Sequence, residues 1–107
     1  MTNEQKCEAI VSSFGWERIP GYMKPVWYDE SDMVRETPDY FSDPKACFGA
    51  KRKLGLIMDL MENADGTFDC YLYSKDGKCV EFVTDVTGEC TAMAEALWRY
   101  VCSLKKN

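Results

Sequence analysis

Pro38-Asp39-Tyr40-Phe41-Ser42-Asp43-Pro44 leads into Ala46, Ala50, Leu54, Ile57, Met58 and Met61, and whether that run is one helix or a helix followed by a strand decides the fold. Ser42 and Asp43 offer side-chain oxygens to the unpaired N–H groups of a first turn. Pro44 brings a fixed φ and no donor, which suits the first helical position. The apolar spacing predicts a helix continuing through Met61. Gly49 and Gly55 work against it, since glycine inside a helix costs about 1 kcal/mol relative to alanine. The alternative is a helix ending near Lys53 and a strand from Leu56 to Met61.

Downstream, Asn63-Ala64-Asp65-Gly66 marks a turn. Phe68, Cys70 and Leu72 then alternate with Asp69, Tyr71 and Tyr73 at the period of a strand. Ser74-Lys75-Asp76-Gly77 has the composition of a tight hairpin turn, and Cys79 to Val83 is the returning strand. Thr87-Gly88-Glu89-Cys90-Thr91 opens a long helix with Cys90, Met93, Ala94, Leu97, Trp98, Val101 and Cys102 on one face. Lys105 and Lys106 sit where cations complement its dipole.

Upstream, Glu30 to Asp39 shows neither period and is expected to be a surface loop. Lys24 to Asp29 reads as a short strand that Pro25 confines to a sheet edge or to the strand's own start. Cys7, Ile10, Val11 and Phe14 form one stripe on a helix from Asn3 to Phe14, with Gly15 as its stop. The predicted order is α-β-α-β-β-α: a single α+β domain over residues 1–107, with a small antiparallel three-stranded sheet layered between helices.

With 46% hydrophobic and 29% charged residues in 107, the chain fills one core and no second. No apolar run approaches the roughly 20 residues of a membrane span, and Glu4, Lys6 and Glu8 interrupt any signal-peptide core, so a cytoplasmic protein is expected. In that compartment Cys7, Cys47, Cys70, Cys79, Cys90 and Cys102 are expected to be free thiols. The net charge of −5 argues against a nucleic-acid interface and suits a partner with a basic surface.

The sequence contains no histidine, which excludes triad hydrolysis and His-containing zinc sites. The cysteines lack C-x-x-C spacing, and the glycines form neither G-x-G-x-x-G nor a P-loop. Asp59, Glu62, Asp65 and Asp69 depart from the EF-hand pattern. No metal or cofactor is therefore expected, nor an enzyme. What remains is an aromatic and acidic set: Trp16, Tyr22, Trp27, Tyr28 and Tyr40, with Asp29, Glu30 and Asp32 beside them and Glu36 and Arg35 at the rim. Clustered Tyr and Trp anchor protein interfaces, although the plainer reading, and the preferred one, has Trp16 and Trp27 simply capping the sheet. A different class of function, a small-ligand or nucleotide site, would use Tyr40 and Asp43 with Trp27. A homodimer built on an apolar helix face is the third expectation.

Taken in order, the helix ending Phe14-Gly15-Trp16, the strand at Trp27, the Pro38-Asp39-Tyr40-Phe41-Ser42-Asp43 lead, the Phe68 to Val83 hairpin and the closing Ala94-Glu95-Ala96-Leu97 helix resemble the phage ABA-sandwich domain family. The resemblance implies a sheet layered between helices and a phage or prophage origin, and it carries no catalytic residues. It also implies an accessory protein that binds host machinery, with inhibition of a bacterial immune complex such as a CRISPR effector as its conditional form.

Overall fold

The computed structural model describes residues 1–105; Lys106, one of the two expected dipole partners, lies outside them. Among the described residues, three helices and two three-stranded antiparallel sheets make an α+β fold. Helix α1 spans Asn3–Ser12, α2 Pro44–Lys53 and α3 Glu89–Leu104. Strands β1 (Glu17–Arg18), β2 (Val26–Tyr28) and β3 (Val34–Glu36) form the N-terminal sheet in that order. Strands β4 (Ile57–Glu62), β5 (Phe68–Tyr73) and β6 (Cys79–Val86) form the C-terminal one.

The predicted helix through Met61 is corrected at Gly55. Gly55 adopts φ +69°, its N–H donates to the Arg52 carbonyl at 3.1 Å, and the Leu56 N–H donates to the Lys51 carbonyl at 2.9 Å. That pair of bonds is a Schellman termination, open to glycine because it lacks a Cβ. Lys51, Arg52 and Lys53 crowd the last turn, where cations face the negative end of the dipole. At the other end the start signal acts as expected: Asp43 Oδ1 accepts the Lys45 N–H at 3.0 Å, with Pro44 first in the helix. The alternative of a helix to Lys53 followed by a strand is the structure.

A second correction falls on Glu30 to Asp39, expected to be a loop, which contains β3. All three β3 residues are exposed, so burial imposes no period on them. A turn creates the strand instead. Asp29 Oδ1 accepts the N–H groups of Ser31 at 2.8 Å and Met33 at 3.0 Å, and Asp32 takes φ +58°, a conformation that aspartate tolerates.

The core centres on α3. Ala92, Met93, Ala94, Ala96, Leu97 and Val101 are all buried, because α3 packs on β5 and β6 while α1 and α2 pack on α3. Cys70, Leu72 and Val83 meet it from the sheet, and Cys7, Ile10, Val11, Cys47 and Ala50 from the other helices. All six cysteines are free. Burial pushes the Cys47 and Cys70 thiols up to about 12. Cys70 is opposite Val83 and Cys79 opposite Tyr73, so the two thiols do not pair across the hairpin. Among the described residues, no helix is long and apolar enough to cross a membrane.

Candidate interaction surfaces

The residues singled out in the sequence divide between surface and interior. Strand β2 sends Trp27 inward, 5% exposed, where its Nε1–H donates to Thr37 Oγ1 at 2.8 Å. Tyr28 alternates outward. Tyr40, expected on the binding face, is 2% exposed; its carbonyl accepts the Cys47 thiol at 3.0 Å, and burial raises its phenol well above the usual range. Trp27 and Tyr40 are thus packing residues, large rings the core needs more than a partner does. Tyr22 is exposed between β1 and β2.

The acidic members are largely engaged by the chain itself. Asp29 is buried and, besides its two backbone donors, accepts Arg35 Nε at 3.0 Å. The Arg35 hydrogen bond, and then the Met33 and Ser31 N–H groups, hold its carboxyl below the usual carboxylate range. Asp32 serves the turn. Glu30 takes Lys53 Nζ on one oxygen and Trp16 Nε1 on the other, both at 2.6 Å; these two donors lower its pKa, Lys53 first. The Lys53 ammonium also lies 5.7 Å from the Phe14 ring and 5.6 Å from the Trp16 ring. Trp16 and Glu30 are therefore brought together, as a clasp closing the end of α2 onto the small sheet.

A cleft of about 520 Å³ lies beside the Pro38 stretch, and its walls include Glu4, Glu8, Glu36 and Asp39 against one Lys24. Tyr40, Asp43 and Trp27 do not line it. Glu8 is paired with Arg18 at 3.0 Å, and the other three acidic residues still outnumber Lys24, a balance unfavourable to a phosphate group.

The face that sequence reasoning missed is the outer side of the C-terminal sheet. Met58, Leu60, Cys70, Leu72 and Val83 point to the helices, so the intervening residues point away. Ile57 is 51% exposed, Met61 46% and Phe82 50%. The Tyr71 and Phe82 rings stack at 5.6 Å and 16° across paired positions. Asp59 stands opposite Tyr71, and Ile57 opposite Tyr73. Burial raises the Tyr73 phenol above its ordinary value, with Cys79, Asp59 and Tyr71 adding to the shift. The signal was present in the β5 alternation: Asp69, Tyr71 and Tyr73 are the outward set, and two tyrosines are unusual cover for a purely solvated face.

Among the described residues, no group of three or more His, Cys, Asp or Glu side chains is placed to hold a metal ion. The fold is that of a known phage protein. A 2.0 Å crystal structure of a phage protein from Bacillus cereus ATCC 14579 superposes with a TM-score of 0.70 over 95% of this chain and 89% of that one, at 14% identity. No protein-family model matches the chain, and no curated protein does.

Proposed function

We propose that this is a phage or prophage accessory protein of the ABA-sandwich kind that works by binding another protein and catalyses no reaction. The observation that carries the reading is the open outer face of the C-terminal sheet. Tyr71, Phe82, Ile57 and Met61 form an aromatic and aliphatic patch there, partly exposed, of the composition that anchors protein interfaces. The net charge of −5 suits a host protein with a basic surface, and a bacterial immune effector is the candidate that the phage fold brings forward.

The test is affinity capture from host lysate, at low and at physiological salt, with the wild type and the Tyr71→Ala/Phe82→Ala double variant. A saturable, identified partner retained by the wild type and lost by the variant supports the reading. Equal capture by both overturns it. The reading of a nucleotide or small-ligand site at Tyr40 and Asp43 is disfavoured, because Tyr40 and Trp27 are buried and Asp43 caps α2.

A further inference from the structure

We infer that the outer edge of β4 accepts an extended segment of the partner as an added antiparallel strand, and that this segment carries a basic residue flanked two positions either side by apolar ones. The inference rests on the protein-binding reading above and names what the partner brings to it.

Four strands bound the two sheets, and three of them are poor templates. β1 and β3 have two and three residues, too short to hold a further strand. β6 is broken by two register irregularities against β5, and Asp85 within it takes φ +57°. Bulges of this kind turn an edge away from pairing. β4 differs from all three. It runs six residues in unbroken register with β5, from Ile57 opposite Tyr73 to Glu62 opposite Phe68, and among the described residues no strand pairs with its other side. A regular edge of that length leaves a row of backbone donors and acceptors to satisfy, which is how strand addition gains its affinity.

Side chains decide what is added. Ile57, Asp59 and Met61 project from β4 on the open face, and all three are exposed. Among the described residues Asp59 makes no ion pair. A second copy of this chain fits the edge badly. Directly opposed residues of an antiparallel pair share a face, so a two-fold pairing of β4 with itself must centre on a residue. Centred on Asp59, it matches Ile57 with Met61 but sets the two Asp59 carboxylates against each other, which is destabilising. A shift of one residue either way places each Asp59 against Met61 or Ile57 and keeps the second carboxylate on the diagonal. A heterologous strand with Arg or Lys opposite Asp59, and aliphatic residues opposite Ile57 and Met61, removes the repulsion and extends the apolar patch. An arginine there also reaches towards Tyr71, which pairs with Asp59 from the other side.

The probe is a blocked peptide, Thr-Val-Thr-Arg-Thr-Val-Thr, titrated to millimolar concentration into the isotope-labelled protein. Expected are saturable amide shifts and slowed exchange along β4, a binding constant about fivefold weaker when Glu replaces the central Arg, and no binding by the same peptide N-methylated on its backbone amides. Asp59→Lys, a change at an exposed position, is expected to reverse the preference, so that the Glu peptide binds better. Overturning results are the absence of β4 shifts with the Arg peptide, an unchanged preference in Asp59→Lys, undiminished binding of the N-methylated peptide, or a wild type that sediments as a dimer with its β4 amides protected. The two readings fail separately. A partner whose capture needs Tyr71 and Phe82, yet ignores Asp59→Lys and leaves β4 exchange unchanged, overturns strand addition and keeps the open-face reading. Capture indifferent to Tyr71 and Phe82 overturns the open-face reading itself.

Discussion

The two sheets are built from the same antiparallel ladder and are held by opposite means. In β4–β6 the inward residues meet α3, and Cys70 and Leu72 reach zero exposure; the strands exist because apolar area leaves water. In β1–β3 only Val26 and Trp27 are buried apolar residues. What shapes that sheet is polar and local: Asp29 gathering Ser31, Met33 and Arg35, Thr37 holding Trp27, and Glu30 joining Trp16 to Lys53. Partly exposed polar contacts contribute little each, so the small sheet belongs to the low-stability end of the molecule and the large one to its global unfolding unit.

The difference can be broken from the core side first. Leu97→Ala removes a fully buried side chain of α3 and is expected to cost about 3 kcal/mol, read as a lower denaturant midpoint by far-UV circular dichroism and by tryptophan fluorescence together. Separate midpoints for the two probes would mean that the sheets unfold independently. Next in size, Gly55→Ala puts a Cβ on a residue at φ +69° and should cost about 1–2 kcal/mol, measured in the same way. A neutral result would show that the α2–β4 junction adopts another termination.

A local effect is expected from Asp29→Ala. Amides of β2 and β3 should exchange faster while those of β5 keep their protection, as followed by hydrogen exchange. Acid should act in the same order. The folded pKa values of Asp29 and Glu30 lie below their ordinary 3.8 and 4.5, so each group adds stability above its ordinary value and loses it as pH falls through the folded one. Protection of β2 and β3 should therefore decline below about pH 4 before that of β5 does. Simultaneous loss would erase the distinction between the sheets. The smallest change is expected from Phe82→Ala, at half exposure: loss of the stack on Tyr71 is worth about 0.5–1 kcal/mol, and a much larger loss in thermal denaturation would mark the outer face as structural.

The same contrast governs what the amino acids disclosed. The hairpin of β5 and β6 was legible from its alternation and turn residues, the start of α2 from Asp43 and Pro44, and α3 from its apolar stripe alone, since Gly88 opens it with no side-chain cap bond. Ile57, Met58 and Met61 misled: they lie three, four and seven residues beyond Leu54, the spacing of a helix face, and the deciding residue was Gly55 behind three cations. β3 left no pattern, since a strand exposed on every residue imposes no period and its cause sits five residues upstream, in Asp29. Of the proposed contact residues, Trp16, Tyr22, Tyr28 and Glu30 lie on the surface or near it. Trp27 and Tyr40 do not, because aromatic content alone cannot distinguish a ring that anchors a partner from one that fills a core. The outer face of β4–β6 went unread for a related reason: a sheet expected to have helices on both sides leaves no side open.

The graded burial of the six thiols gives the chain an internal clock. Cys79 is exposed, Cys90 and Cys102 are half-buried, and Cys7, Cys47 and Cys70 are closed off. Under a thiol-modifying reagent Cys79 is labelled from the folded state, whereas Cys47 and Cys70 must wait for the core to open and their raised pKa values to relax. The lag between the first label and the last times the opening of the core without any added probe.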